Sequence, residues 1–185
     1  METPPRAWVS NAEELRAELA NRDQGFVKEV KNQLRKRGSE HIDARVGALG
    51  PQVEAAIDCT RCAACCKVLE PELSQEDVQR LAEIQSQSAA EFTQLSTETS
   101  NSGKVFLKAS PCRFLKAGSC SIYASRPESC ADFPHLYRPY FLFRRLIWEH
   151  YSLCPIVFNL VELLRDESTA DPDSPSDIGE GLCST

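Results

Sequence analysis

The stretch Cys59-Thr60-Arg61-Cys62-Ala63-Ala64-Cys65-Cys66 constrains this chain more than any other, because it packs four thiols into eight residues. Packing alone does not require that, since a free cysteine behaves as a small hydrophobe and one or two would serve. Two C-x-x-C steps in series let a tight loop wrap a metal centre with its thiolates pointing inward. The last step is different. Cys65 and Cys66 are neighbours, and consecutive side chains point in different directions, so one ion would use both only with strain. The spacing predicts two sites or one multi-metal cluster, with further ligands elsewhere in the chain.

Those ligands are present downstream. Cys112, Cys120, Cys130 and Cys154 follow at gaps too wide for a single zinc knuckle but short enough for one cysteine-rich face. With Cys59, Cys62, Cys65 and Cys66 they make eight, twice what a closed tetrahedral site needs. Cys183 stands alone in the acidic tail and reads as a spare thiol. Cys154 directly precedes Pro155, which suits the first position of a helix whose positive end favours a thiolate. Cys130 follows Ser125-Arg126-Pro127, so Arg126 can offset the charge of about minus two that four thiolates leave around a divalent ion.

The nine cysteines are an odd number, and Met1–Arg6 lacks the apolar core of a signal peptide. The chain has no apolar run long enough to span a bilayer. The expectation is a cytoplasmic, reducing setting in which thiols bind metal or react, and a secreted disulfide scaffold is the weaker reading. The formal net charge is −6, all of it attributable to six acidic residues after Arg165, where no Lys or Arg occurs. With no basic excess elsewhere, a nucleic-acid partner is disfavoured, and no membrane partner is expected.

In chain order, Ser10 or Asn11 caps a helix predicted to run to about Arg37, with the stripe Leu15, Leu19, Phe26, Val30 and Leu34. Gly25 weakens its middle and Gly38 stops it. Its basic C-terminal half suits the helix dipole, and a protein partner through this helix is the sharper alternative. Residues 38–58, with Gly38, Gly47, Gly50 and Pro51, read as a hinge with a short helical piece around Val53–Ile57. Ser74–Asp77 and Ser88–Glu91 are capping boxes, each opening a helix. The run 96–103 reads as loop, Lys104–Lys108 as a strand and Ser121–Tyr123 as its partner. Tyr140–Tyr151 reads as helix, and Pro155 opens another with the stripe Val157, Leu160, Val161 and Leu164. From Asp166 the Ser-, Asp- and Pro-rich composition predicts disorder.

The ordered pieces C-x-x-C-x-x-C-C, Pro-Cys-Arg-Phe-Leu, Cys-Ser-Ile-Tyr, Arg-Pro-x-x-Cys, Phe-Pro and Cys-Pro span roughly Ile57 to Arg165. Together they resemble the CxxCxxCC family of zinc- or iron-chelating proteins. The resemblance implies chelation through these cysteines, and relatives with a similar pattern include flagellin lysine N-methylases. This chain departs from the pattern at Ala131, where many members carry arginine.

Soft thiolates suit zinc and iron–sulfur clusters alike. Cys59, Cys62 and Cys65 match three ligands of a bacterial ferredoxin motif, with Cys154-Pro155 as its remote Cys-Pro, whereas two four-thiolate zinc sites use all eight and share Cys65 and Cys66 between them. Three functions stay open: a metal-chelating protein, an iron–sulfur enzyme modifying a protein side chain by analogy with the methylases, and a zinc-stabilised interaction module. No catalytic residue is identified. His135 is the candidate imidazole near the metal, and Arg126 and His135 are the groups expected to stand behind the ligands. Tyr123 and Tyr137 are expected to pack, and Arg126 to pair with Asp132.

The expected fold is α+β and mainly helical, a small irregular Cys-rich core with a short hairpin, flanked by helices. Residues 1–52 form an N-terminal helix and hinge, 53–165 the metal-binding domain and 166–185 a disordered acidic tail. An apolar content of 42% predicts folding that depends on bound metal.

Overall fold

The computed structural model describes residues 7–23, 25–108 and 110–170. Its helices are α1 (Ala12–Ala20), α2 (Phe26–Arg35), α3 (Ser39–Ala56), α4 (Cys59–Cys62), α5 (Gln75–Ile84), α6 (Ala89–Ser96), α7 (Glu128–Ala131), α8 (Arg145–Tyr151) and α9 (Pro155–Ala170). The strands are short: β1 (Glu72–Leu73), β2 (Thr97–Thr99), β3 (Val105–Leu107), β4 (Leu115–Lys116) and β5 (Ser119–Cys120). The chain is mainly helical α+β, as the sequence predicts.

Helix α9 is the axis of a helical layer. Its Val157, Phe158, Leu160, Val161 and Leu164 are fully buried, including every residue of the predicted stripe. Helices α1, α2, α3 and α8 pack against it. The helix predicted over 11–37 is two helices. Asn11 caps the first, accepting from the amides of Glu13 and Glu14 at 2.9 and 3.0 Å. Asp23 Oδ1 opens the second by accepting from Gly25 and Phe26 at 2.7 and 2.9 Å. The stripe still turns inward, with Leu15, Val30 and Leu34 buried and Leu19 and Phe26 packed on them.

The predicted hinge is an 18-residue helix. Gly47 and Gly50 each cost about 1 kcal/mol in a helix interior, but full burial of each of Ile42, Val46 and Val53 returns about 1.5–3 kcal/mol. Tertiary packing overrides propensity here. The tail correction is smaller. Helix α9 continues through Asp166 to Ala170, with Glu167 paired to Arg45 and Ser168 accepting from Arg37. The rest of the tail, with Cys183, lies outside the described residues.

A second, smaller core joins α5 and α6 to an antiparallel sheet in the order β1-β3-β2. Leu73, Val78, Leu81, Phe92, Leu107 and Phe114 are its buried centre. Lys104–Lys108 does contain a strand, but Ser121–Tyr123 is not its partner. β3 pairs with Glu72–Leu73 on one side and with Thr97–Thr99 on the other, and the latter lie inside the run read as loop. Only Thr97 of β2 is buried, so the strand carries no apolar alternation to betray it. β4 and β5 form a separate hairpin through Ala117-Gly118, both with positive φ (47° and 81°), as a two-residue primed turn requires.

Both predicted capping boxes are formed. They differ in burial. Asp77 is almost fully buried, accepts from Ser74 N at 3.1 Å, pairs with Arg80 and also accepts from Glu128 N at 3.3 Å, tying α5 to α7. Glu91 is exposed and serves only its own cap. Asp77→Ala should therefore destabilise the protein by about 2–3 kcal/mol and Glu91→Ala by less than about 1 kcal/mol in urea unfolding. Equal costs would show that the link to α7 contributes nothing.

The predicted helix at Tyr140–Tyr151 starts late. Asp43 on α3 accepts from the amides of Tyr140 and Phe141 at 2.7 and 2.9 Å, and Tyr140 sits at φ 61°. A 3-10 turn at Phe141–Phe143 follows, and α8 begins only at Arg145. Among the described residues no helix is long and apolar enough to cross a membrane.

Candidate metal centre

The thiols gather where the two cores meet. Asp58 caps the single turn of α4 by accepting from Thr60 N at 2.9 Å, and Ala63 ends it in the left-handed region at φ 47°. A 3-10 turn at Cys65–Lys67 follows. This reversal after Cys62 sets Cys65 and Cys66 on a new course. Cys112 N donates to Cys66 O at 2.7 Å, which fastens the second cysteine segment to the first. The β4–β5 hairpin sets Cys120 opposite Leu115, α7 carries Cys130, and Cys154 caps α9 with Pro155 at its first position.

Two neighbourhoods emerge. Cys59, Cys62, Cys65 and Cys154 line a narrow recess beside Ile57, Ala64 and Phe133. Cys66, Cys112 and Cys130, again with Cys65, line a broad cleft. Electrostatics sort the thiols the same way. The thiol charges felt at Cys154 come from Cys59 and Cys62, whereas those felt at Cys130 come from Cys66, Cys112 and Cys120. Cys65 stands between the groups, hydrogen-bonded to Cys66 and within reach of both Cys154 and Cys130. Among the described residues, no three His, Cys, Asp or Glu side chains already stand close enough together to hold a metal ion.

Burial pushes the Cys130 and Cys154 thiols up to about 12, and raises Cys59 and Cys112 as well. The backbone amides of Val157 and Ile156 at the start of α9 partly oppose this at Cys154. Within the Cys65–Cys66 pair, the shared hydrogen bond raises Cys65 and lowers Cys66, so Cys66 is the first to ionise. A thiol that coordinates a metal is deprotonated outright, so binding here would release protons. By chemistry, soft sulfur donors in this number fit a thiophilic ion.

Arg126 lies over the Tyr123 ring at 3.9 Å and donates to Tyr123 O at 2.9 Å, and its charge acts on both Cys59 and Cys130. It does not pair with Asp132. That carboxylate ends α7 and turns instead to His135 Nδ1 at 2.7 Å and to Arg138. His135, at φ 62°, lines the cleft. Tyr123 and Tyr137 are more exposed than expected, although Tyr137 hydrogen-bonds Glu54 and fits against Gly50.

Sequence reasoning passed over His150. It is buried, lines the cleft with its ring 6.5 Å from that of His135, and its Nδ1 has no hydrogen-bond partner. Its carbonyl accepts from Cys154 N at 2.7 Å, so the four-residue spacing to Cys154 on the approach to α9 was the available signal.

The model of the CxxCxxCC family, described as "Putative zinc- or iron-chelating domain", matches residues 58–154, just over half of the chain and the span of all eight cysteines. No curated protein and no solved structure matches the chain.

Proposed function

Because the chain belongs to the CxxCxxCC family of zinc- or iron-chelating domains, we propose that it chelates two such ions, each through four thiolates. Cys59, Cys62, Cys65 and Cys154 hold one, and Cys66, Cys112, Cys120 and Cys130 hold the other. The observation that carries this reading is the fork at Cys65 and Cys66: Cys65 borders the recess as well as the cleft, whereas Cys66 lines the cleft and not the recess. Two closed four-thiolate sets account for every cysteine of the motif, which a single iron–sulfur cluster does not. Each set leaves about two negative charges, and Arg126 lies where its charge reaches a thiol of both. The bound ion supplies Lewis acidity and cross-linking, while the chain supplies donors, burial and compensating charge.

Anaerobic purification followed by elemental and sulfide analysis tests it. The expected result is about two ions per chain without acid-labile sulfide, and cobalt-substituted protein with the absorption of tetrahedral cobalt thiolate. Brown protein carrying iron and stoichiometric sulfide would sink the reading in favour of a cluster.

A further inference from the structure

The two thiol sets differ in access, and resting on the two-ion reading above, we infer that they differ in function. The set of Cys66, Cys112, Cys120 and Cys130 is an exchange centre, fed and emptied through the acidic cleft, whereas the set of Cys59, Cys62, Cys65 and Cys154 holds a resident ion. The cleft encloses about 740 Å³, against about 30 Å³ for the recess. None of the four thiols of the exchange set is buried, whereas Cys62 and Cys154 of the other set are, and only Cys59 there faces solvent. An incoming ion can reach accessible thiols before the outgoing ion leaves, whereas buried thiols must first be uncovered by local opening, so the accessible set turns over and the buried one retains its ion.

The cleft is also built for a cation. Its basic residues are already engaged, Lys104 with Glu72 at 2.8 Å and Arg138 with Asp132. Glu70 and Glu128 line it without an ion pair among the described residues. Facing a centre that is itself anionic, they focus a negative field along the approach. The orphaned Nδ1 of buried His150 adds a nitrogen donor on the same wall. The ligand this combination takes is a divalent cation in transit. Exchange is a one-for-one substitution: the incoming ion takes the four thiolates as the outgoing one departs, with no change of charge, protonation or oxidation state.

The full chain is loaded with two zinc ions, counted, and challenged with excess cadmium, and retained zinc is measured after rapid desalting. One equivalent should leave at least about tenfold faster than the other, the low end of what electrostatic focusing confers. Cys120→Ser should remove the fast equivalent and Cys59→Ser the slow one. Independently of either, the exposed double substitution Glu70→Gln with Glu128→Gln should slow only the fast phase and flatten its dependence on ionic strength. A single rate for both ions, a fast phase assigned to Cys59, or a fast phase indifferent to the glutamates overturns the inference while leaving the two-ion reading intact. A starting count other than two brings down both.

Discussion

Cys65→Ser should retain about one bound ion where the proposed arrangement gives the wild type two, and Cys66→Ser should also retain about one, but at the other centre. Serine keeps the size of the side chain and removes the thiolate, and loss of a ligand should weaken its site at least about 100-fold, the upper figure for losing only a group behind a ligand. The two variants differ by one position in the chain, so any general effect of disturbing the loop should be common to both. What separates them is which ion remains. Cobalt bound to the surviving centre should respond to a second substitution at Cys112 in Cys65→Ser and at Cys154 in Cys66→Ser. A shared multi-metal cluster gives a different outcome, since either single substitution would then release all the metal together. Cys65 makes the experiment demanding, because it borders both the recess and the cleft and is hydrogen-bonded to Cys66.

The eight thiols and the likeness they carry were legible because ligand chemistry is written in residue type and spacing. So were features set by a few consecutive residues: the capping boxes at Ser74 and Ser88, the cap at Asn11, and the turn of Pro155 into α9. What failed to show was decided by distant partners. Helix α3 contains Gly47, Gly50 and Pro51 and forms because Ile42, Val46 and Val53 find α9 and its neighbours. β2 is a strand only because β3 lies beside it. Asp132 lay equally within sequence reach of Arg126 and Arg138, and the left-handed turn at His135 settled the choice.

The same distinction bears on where the candidate metal centre lies in the fold. The helical core reaches it through Cys154, and the smaller core through Cys112, which packs against Phe114 and its neighbours. Bound metal in the proposed arrangement cross-links the two hydrophobic units. The expectation that folding depends on metal, drawn from modest apolar content, concerns the seam between them. Loss of metal should loosen residues 59–66 and 112–130 first, where most side chains are half-buried or exposed and regular structure is short.

The helical core has its own anchor. Glu162 on α9 is fully buried and takes both guanidinium nitrogens of Arg22 at 2.7 and 3.0 Å, the Tyr151 hydroxyl at 2.7 Å and Arg165 at 3.1 Å. Burial pushes this carboxyl up, but Arg22, Tyr151 and Arg165 more than offset it and hold it below its ordinary value. Arg22→Met keeps an unbranched apolar side chain and removes the guanidinium, which lies over the rings of Phe26 and Phe158 at 4.3 and 4.9 Å. It should cost about 3 kcal/mol at neutral pH, the lower end for breaking a buried pair, because Tyr151 and Arg165 remain. A depressed carboxyl stabilises above its unfolded pKa, near 4.3, and loses that contribution as pH falls through the folded value, so the gap between wild type and Arg22→Met should narrow on the acid side. Replacing both partners, Arg22→Met with Glu162→Leu, should recover at least about 2 kcal/mol of the summed single losses, because no buried charge is left uncompensated. Urea unfolding of the four proteins measures this directly. Strictly additive losses would show that Arg22 and Glu162 contribute to the core separately, through packing, and not as a pair.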